Sequence, residues 1–259
     1  MSYCNGVGSY GIGQVMGSVN SYQSSPLEGM VAYHSAVEVQ ERTPVVSYSS
    51  TPARDLYHRS ASYLTVDAPS FAPDYAFAPD NFLKPGRTSQ PFIGDAVQIQ
   101  DEIREAFTAT TGKVFPLDIR IAVLSDSEFK QHISDPHVVG FSLNRKTDGL
   151  VSDVFVRADE KDRVMLTIGH EIGHVLTLPV AGRQNEEAKA FAFSRAWMDA
   201  IKKEDIAGLG NSLVIDNPAR NGLHDVACAF VWQHIKNGKD ALALFWELVN
   251  GETGVSYGS

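Results

Sequence analysis

The sequence predicts an α+β domain preceded by a long low-complexity segment, on three observations. Strand-like and helix-like stretches between about residues 92 and 259 fall in separate runs rather than alternating. Ahead of them, residues 1–90 are rich in Ser, Gly, Tyr and Pro and keep no sustained period of 3.6 or 2. Within the helical run stands His170-Glu171-Ile172-Gly173-His174, a spacing that puts two imidazoles on one side of a helix. The predicted division is a tail over 1–90 and one domain over 91–259, long enough for a single core.

Eight of the nine tyrosines precede residue 85, and the first lysine is Lys84. A stretch that cannot bury a continuous apolar face does not offset the cost of ordering its backbone, so the tail is predicted to be disordered. Phe71-Ala72-Pro73-Asp74 recurs as Phe77-Ala78-Pro79-Asp80. That repeat reads as a Pro-broken linker or as a docking segment whose two phenylalanines settle on the domain or on a partner. Gly6-Val7-Gly8-Ser9-Tyr10-Gly11 spells a dinucleotide fingerprint but lacks the strand before it and the helix after it, so it is set aside.

The domain opens with a predicted helix from Asp95 to Thr110, with Val97, Ile103, Ala106 and Phe107 on its buried side. Leu117–Leu124 alternates as a half-buried strand, and Ser125 with Glu128 spells a capping box for a short helix to Ser134. Val138–Leu143 and Leu150–Val156 are predicted strands joined by a turn-rich segment. Helices are predicted over 160–178, 186–203, 222–236 and 239–249. The sheet is expected to be small and mostly antiparallel.

Charge and composition exclude several functions. Lys+Arg number 22 against 31 Asp+Glu, a net charge of −9, which argues against nucleic acid as a partner. No apolar run approaches the roughly 18–20 residues of a bilayer span, so no membrane partner is expected. No basic stretch followed by an apolar core marks a secretory leader. Two cysteines, Cys4 and Cys228, fit a reducing, cytoplasmic compartment, with Cys228 read as a small buried residue.

The chemistry concentrates on the H-E-x-x-H segment. Val164, Met165, Ile168, Ile172 and Val175 form one apolar side of its helix, leaving Arg163, Thr167, His170 and His174 on the other. Two imidazoles at i and i+4 can share one metal ion, and a third protein ligand with one open position completes a catalytic zinc site. The next helix supplies candidates for that ligand in Glu186 and Glu187, behind Asn185 as N-cap. Glu187 lies about 40° and Glu186 about 60° from the centre of the buried stripe. A carboxylate beside a buried stripe is costly unless a cation meets it, which favours Glu187. First-turn acids also favour the helix dipole without binding anything.

These residues resemble the gluzincin type of zinc metallopeptidase, in which H-E-x-x-H lies on an active-site helix and a glutamate on the following helix is the third ligand. His170, Glu171 and His174 match directly, and Glu187-Ala188-Lys189-Ala190 with Phe193 looks like the E-x-x-A segment that opens the glutamate helix. The short spacing from His174 to Glu187 is similar to that of the minigluzincins. A second likeness is to ImmA/IrrE-type regulatory peptidases, although Phe191 stands where those have Asn. The third histidine of the metzincins is absent, its place being Val180.

The resemblance implies a zincin-like fold, Zn²⁺ held by His170, His174 and Glu187, and Glu171 as the base that activates water against a peptide or protein substrate. It also implies that Leu150–Val156 borders the cleft; Asp153 within it reads as a solvated strand position rather than a catalyst. His224 is a candidate for stabilising the oxyanion. The alternatives are a regulatory protease with one dedicated protein substrate, or a non-catalytic interaction protein with a structural or vestigial zinc site.

Overall fold

The computed structural model describes residues 77–215 and 223–255, the side chains of 223–225 excepted. The tail up to residue 76, with its glycine motif, Cys4 and the first Phe-Ala-Pro-Asp copy, lies outside the described residues. The packed unit reaches back to Phe77, ahead of the expected boundary at 91.

Three strands form the main sheet: β2 (Ile119–Leu124), β3 (Gly140–Leu143) and β4 (Ser152–Arg157), in the order β2-β4-β3. The strand β4 runs parallel to β2 and antiparallel to β3, so the sheet is mixed rather than mostly antiparallel. Alternation along a strand reports which residues face a core and is the same for either direction, so the sequence pattern does not distinguish them. A separate ribbon pairs β1 (Phe92–Ile93) with β5 (Asp159–Glu160).

Six α-helices occur among the described residues. The first, α1 (Gln100–Thr111), follows a 3₁₀ turn, Ala96–Ile99, that Asp95 caps. That turn steps about 120° per residue rather than 100°, which carries Val97 away from the core to 73% exposure. Ile103, Ala106 and Phe107 are buried as predicted. The capping box forms at α2 (Asp126–His132), where Ser125 Oγ accepts from the Glu128 amide and Glu128 accepts from the Ser125 amide. The remaining helices are α3 (Lys161–Val175), α4 (Arg183–Glu204), α5 (Leu223–Lys236) and α6 (Ala241–Asn250).

The sheet is covered on both faces. Phe129 and Ile133 of α2 pack with Leu124, Val138 and Phe141 on one face, while Ile119, Val154 and Val156 join the main core with α3 on the other. The helix α3 is held between the sheet and α4, and α4 in turn touches α1, α5 and α6. Polar residues of α3 are consequently enclosed along with the apolar stripe, Thr167, His170 and Glu171 being at most 5% exposed.

Two glycines set the distance between α3 and α4. A Cβ on Gly173 would stand 2.7 Å from Ala190 Cα, and one on Gly169 would stand 2.5 Å from the buried Trp197 ring. The Trp197 indole N–H donates to the Met165 carbonyl at 3.0 Å, closing the same contact. The small Ala190 of the E-x-x-A segment is therefore the surface on which Gly173 rests, one turn from Glu187.

The helix α4 begins after Gly182 rather than at an Asn185 cap. Asn185 lies inside the first turn, accepting from the Val255 amide at 2.7 Å and donating to the Ala181 carbonyl. It ties the end of the chain to the helix instead of capping it.

Residues 77–90 form a strap over α3. Phe82 and Leu83 are buried, the Lys84 amide donates to the Ser212 carbonyl, and Asp80 meets Arg163 at 2.9 Å. Arg87 pairs with Asp162, whose side chain is fully buried.

Replacing Gly173 by Ala tests the helix contact, because two effects oppose each other. Alanine favours the helix by about 1 kcal/mol, whereas overpacking against backbone costs about 1–3 kcal/mol or more. We expect Gly173→Ala to lower the urea midpoint of unfolding; a raised midpoint would show that α4 yields without cost.

Candidate metal centre

The phase of α3 and the register of α4 bring three sequence-predicted ligands together. One ligand atom each from His170, His174 and Glu187 lies within 4.8 Å of the others. His170 Nε2 is 3.7 Å from Glu187 Oε2, and His174 Nε2 is 3.9 Å from Glu187 Oε1. The imidazoles are nearly perpendicular, at 87° with centroids 5.0 Å apart, so their nitrogens converge without the rings stacking. Tetrahedral ligands at about 2 Å from zinc stand about 3.3 Å apart, so modest contraction would complete the arrangement.

Glu186 serves a different nitrogen. Its Oε1 lies 3.1 Å from His174 Nδ1 and 2.9 Å from Lys189 Nζ, while its Oε2 accepts from the Val180 amide at 2.8 Å. A ligating imidazole needs its second nitrogen oriented in this way. The two glutamates thus face different nitrogens of His174, Glu186 toward Nδ1 and Glu187 toward Nε2.

Lys189, fully buried, also donates to the carbonyls of His174 and Leu178 at 3.3 Å. Asn144 donates to the His174 and Thr177 carbonyls at 2.7 Å. Together they bind the exposed carbonyls at the end of α3, which lack helical partners. Sequence reasoning passed over both residues. The lone cation in Ala188-Lys189-Ala190-Phe191-Ala192-Phe193 was the available signal, since a lysine amid buried positions requires an acid.

Glu171 lies on the floor of a cleft of about 330 Å³ bounded by Phe77, the β3 backbone and the first turn of α4. Alternation along β3 turns Gly140 and Ser142 toward it, and Ser142 hydrogen-bonds its carboxyl. A Cβ at Gly140 would come within 2.4 Å of Thr167 Cγ2 and 3.1 Å of Glu171 Oε1, so only glycine lets β3 lie this close.

Comparisons with protein-family models, curated proteins and solved structures found no match to the chain.

Other expectations about the site are corrected. The strand bordering the cleft is β3, the sheet's edge, whereas β4 is paired on both sides. Asp153 is not solvated: it is 5% exposed and held by Arg120 at 2.8 Å and Arg145 at 3.0 Å. Its register partner on β2 is Arg120, a pairing that local alternation does not reveal. The side chain of His224 lies outside the described residues. His132 packs against Phe141 and Phe155, and His234 against Phe230, away from the cluster. Cys228 is buried in α5 as expected.

Burial pushes the Glu171 carboxyl up to about 7, the charge of Glu187 adding to the shift while His174 and Ser142 oppose it. Burial works against a charged His174, but the carboxylates of Glu187, Glu186 and Glu171 outweigh it and raise that imidazole to about 9. For Glu186, burial is outweighed by His174 and Lys189, and its carboxyl falls below the ordinary 4.5.

These shifts fix the sign of a pH dependence in the metal-free protein. His174 and Glu171 bind protons more tightly folded than unfolded, so their contributions are lost as pH rises from 4.5 to about 7 for Glu171 and from 6.5 to about 9 for His174. Glu186 has the opposite sign, its contribution being lost as pH falls below 4.5. With a chelator present, the urea midpoint should peak near about pH 5 and decline toward pH 9. A midpoint still rising above neutrality would contradict this arrangement of charges.

Proposed function

We propose that the chain is a zinc-dependent peptide hydrolase of the gluzincin kind, with a zincin-like fold. The observation carrying this reading is the convergence of His170, His174 and Glu187 on one point beside the buried Glu171, at the foot of an edge strand. Two imidazole nitrogens and one carboxylate suit Zn²⁺ and leave a position for water, as a catalytic rather than structural site requires. Bound there, zinc supplies Lewis acidity toward water and a scissile carbonyl.

The chain's own groups do the rest. Glu171 takes a proton from the attacking water and passes it to the leaving amine, a task open to a buried carboxyl within reach of the cluster. Glu186 holds the second nitrogen of His174, and Lys189 holds Glu186. The outer edge of β3 pairs with no strand among the described residues, so an extended peptide can add to it through main-chain hydrogen bonds. A peptide or protein is the substrate class that such an edge accepts. No described helix is long and apolar enough to cross a membrane. A reducing, cytoplasmic setting is proposed on the two cysteines alone.

The test pairs metal content with hydrolysis. The full chain should bind one equivalent of zinc and cut a peptide library. Glu171→Gln should retain the zinc while losing about 10²–10⁴-fold in cleavage, and Glu187→Gln should lose the metal. Glu186→Gln should weaken zinc binding by about 10–100-fold. Because zinc displaces a proton from His174, affinity should rise with pH, and calorimetry in two buffers should register proton release. Cleavage undiminished in Glu171→Gln would remove the mechanism, and bound zinc without hydrolysis would assign the site a non-catalytic role.

A further inference from the structure

The two histidines of the cluster sit in different surroundings. Glu186 reaches Nδ1 of His174 at 3.1 Å, whereas the His170 imidazole lies among rings. Phe77 lies flat on it, with centroids 4.4 Å apart and planes at 11°, and Phe191 meets it edge-on at 5.0 Å and 65°. Phe77 and Phe191 stand 6.0 Å from each other, and Phe82 stacks on Phe77 at 5.7 Å. All four rings are at most 5% exposed. The torsion that turns an imidazole about its Cβ–Cγ bond is broad and two-fold rather than confined to narrow wells, so rotamer preference alone does not settle the ring plane. A ligand nitrogen needs that plane settled, because its lone pair lies in it. A flat neighbour at 4.4 Å leaves the edge of the imidazole no room to swing through, and the tilted Phe191 ring adds a second barrier.

We propose that Phe77 and Phe191 form an aromatic slot that fixes the plane of His170, which makes Phe77, a residue of the strap, a positioning residue of the metal centre. Phe191 follows Glu187 by four residues, so both project from one face of α4. The helix that brings the carboxylate to within 3.7 Å of His170 Nε2 thus brings the ring that steadies the imidazole. Phe77 comes from the other side, on a strap that Asp80 and Arg87 fix to Arg163 and Asp162 in the first turn of α3. Its Phe-Ala-Pro-Asp segment acquires a division of labour: the phenylalanine lies on His170, and the aspartate three residues on anchors it. Phe191, where the chain departs from the ImmA/IrrE-type segment, supplies the second wall. The slot rests on ring geometry; that it serves a zinc ion rests on the hydrolase reading.

Three variants of the full chain separate a flat face from mere bulk. Phe77→Leu keeps an apolar side chain without a planar face, Phe77→Tyr keeps the face, and Leu83→Val loosens the same strap at a buried position away from the cluster. In the metal-free chain, NMR relaxation of the His170 ring should report a rigid imidazole in the parent, Phe77→Tyr and Leu83→Val, and a mobile one in Phe77→Leu. Competition with a chelator should show zinc held about tenfold more weakly by Phe77→Leu, and close to the parent value by the other two. With Co²⁺ in place of zinc, the visible absorption bands should shift in Phe77→Leu alone. A ring equally rigid in Phe77→Leu, or an unchanged zinc affinity there, would overturn the slot. Equal losses in Phe77→Leu and Leu83→Val would also overturn it, reducing Phe77 to a part of the core. Zinc bound by the parent without hydrolysis would remove the hydrolase reading and leave the slot standing. A parent that binds no zinc would remove the metal reading, and ring relaxation would then decide the slot by itself.

Discussion

The site depends on how closely two helices approach. Gly173 rests on the Ala190 backbone and Gly169 on the Trp197 ring, at separations that leave no room for a methyl group. At a wider spacing Glu187 would no longer stand 3.7 and 3.9 Å from the two imidazoles. The residues between and beside the histidines therefore matter as much as the histidines themselves. They let a carboxylate from another helix enter a space that only small residues leave open, and interiors this dense do not adjust by easy shifts.

Enclosing that carboxylate demands compensation elsewhere. Buried polar groups cost free energy unless they find partners, and the site answers with a connected set. Glu186 joins the His174 imidazole, the Lys189 ammonium and the Val180 amide, while Lys189 and Asn144 both reach the carbonyl of His174. Two glutamates adjacent in sequence thus face different atoms of the same histidine. Because consecutive helical residues diverge by about 100°, one can turn toward the cleft while its neighbour supports the imidazole from the side.

The same helix is also held from outside by the strap. Arg87 neutralises the fully buried Asp162, and Asp80 meets Arg163, both within the first turn of α3. Burial of a lone carboxylate is expensive enough that losing its partner typically costs about 3–5 kcal/mol. The strap is accordingly part of the folded unit, and Phe77 brings it to the site itself by lying on the face of His170.

The sequence determined the features that local periodicity encodes. The heptad-scale phase of α3 put His170 and His174 on one side, the buried stripe of α4 drew Glu187 toward it, and Ser125 with Glu128 marked a helix start that forms as read. Tertiary structure decided what periodicity cannot carry. Strand direction leaves no local signature, so the parallel β2–β4 pairing, the Arg120–Asp153 contact and the choice of β3 as the cleft's edge appeared only with the sheet assembled. Val97 was misread because a 3₁₀ turn changes the angular step, and Lys189 was passed over because the carbonyls it reaches, those of His174 and Leu178, lie outside its own helix. The seating of Phe77 on His170 joins residues far apart in the chain through a contact that depends on closing the long stretch between them. A sequence specifies faces residue by residue, whereas which faces meet is settled by the packing of the whole chain.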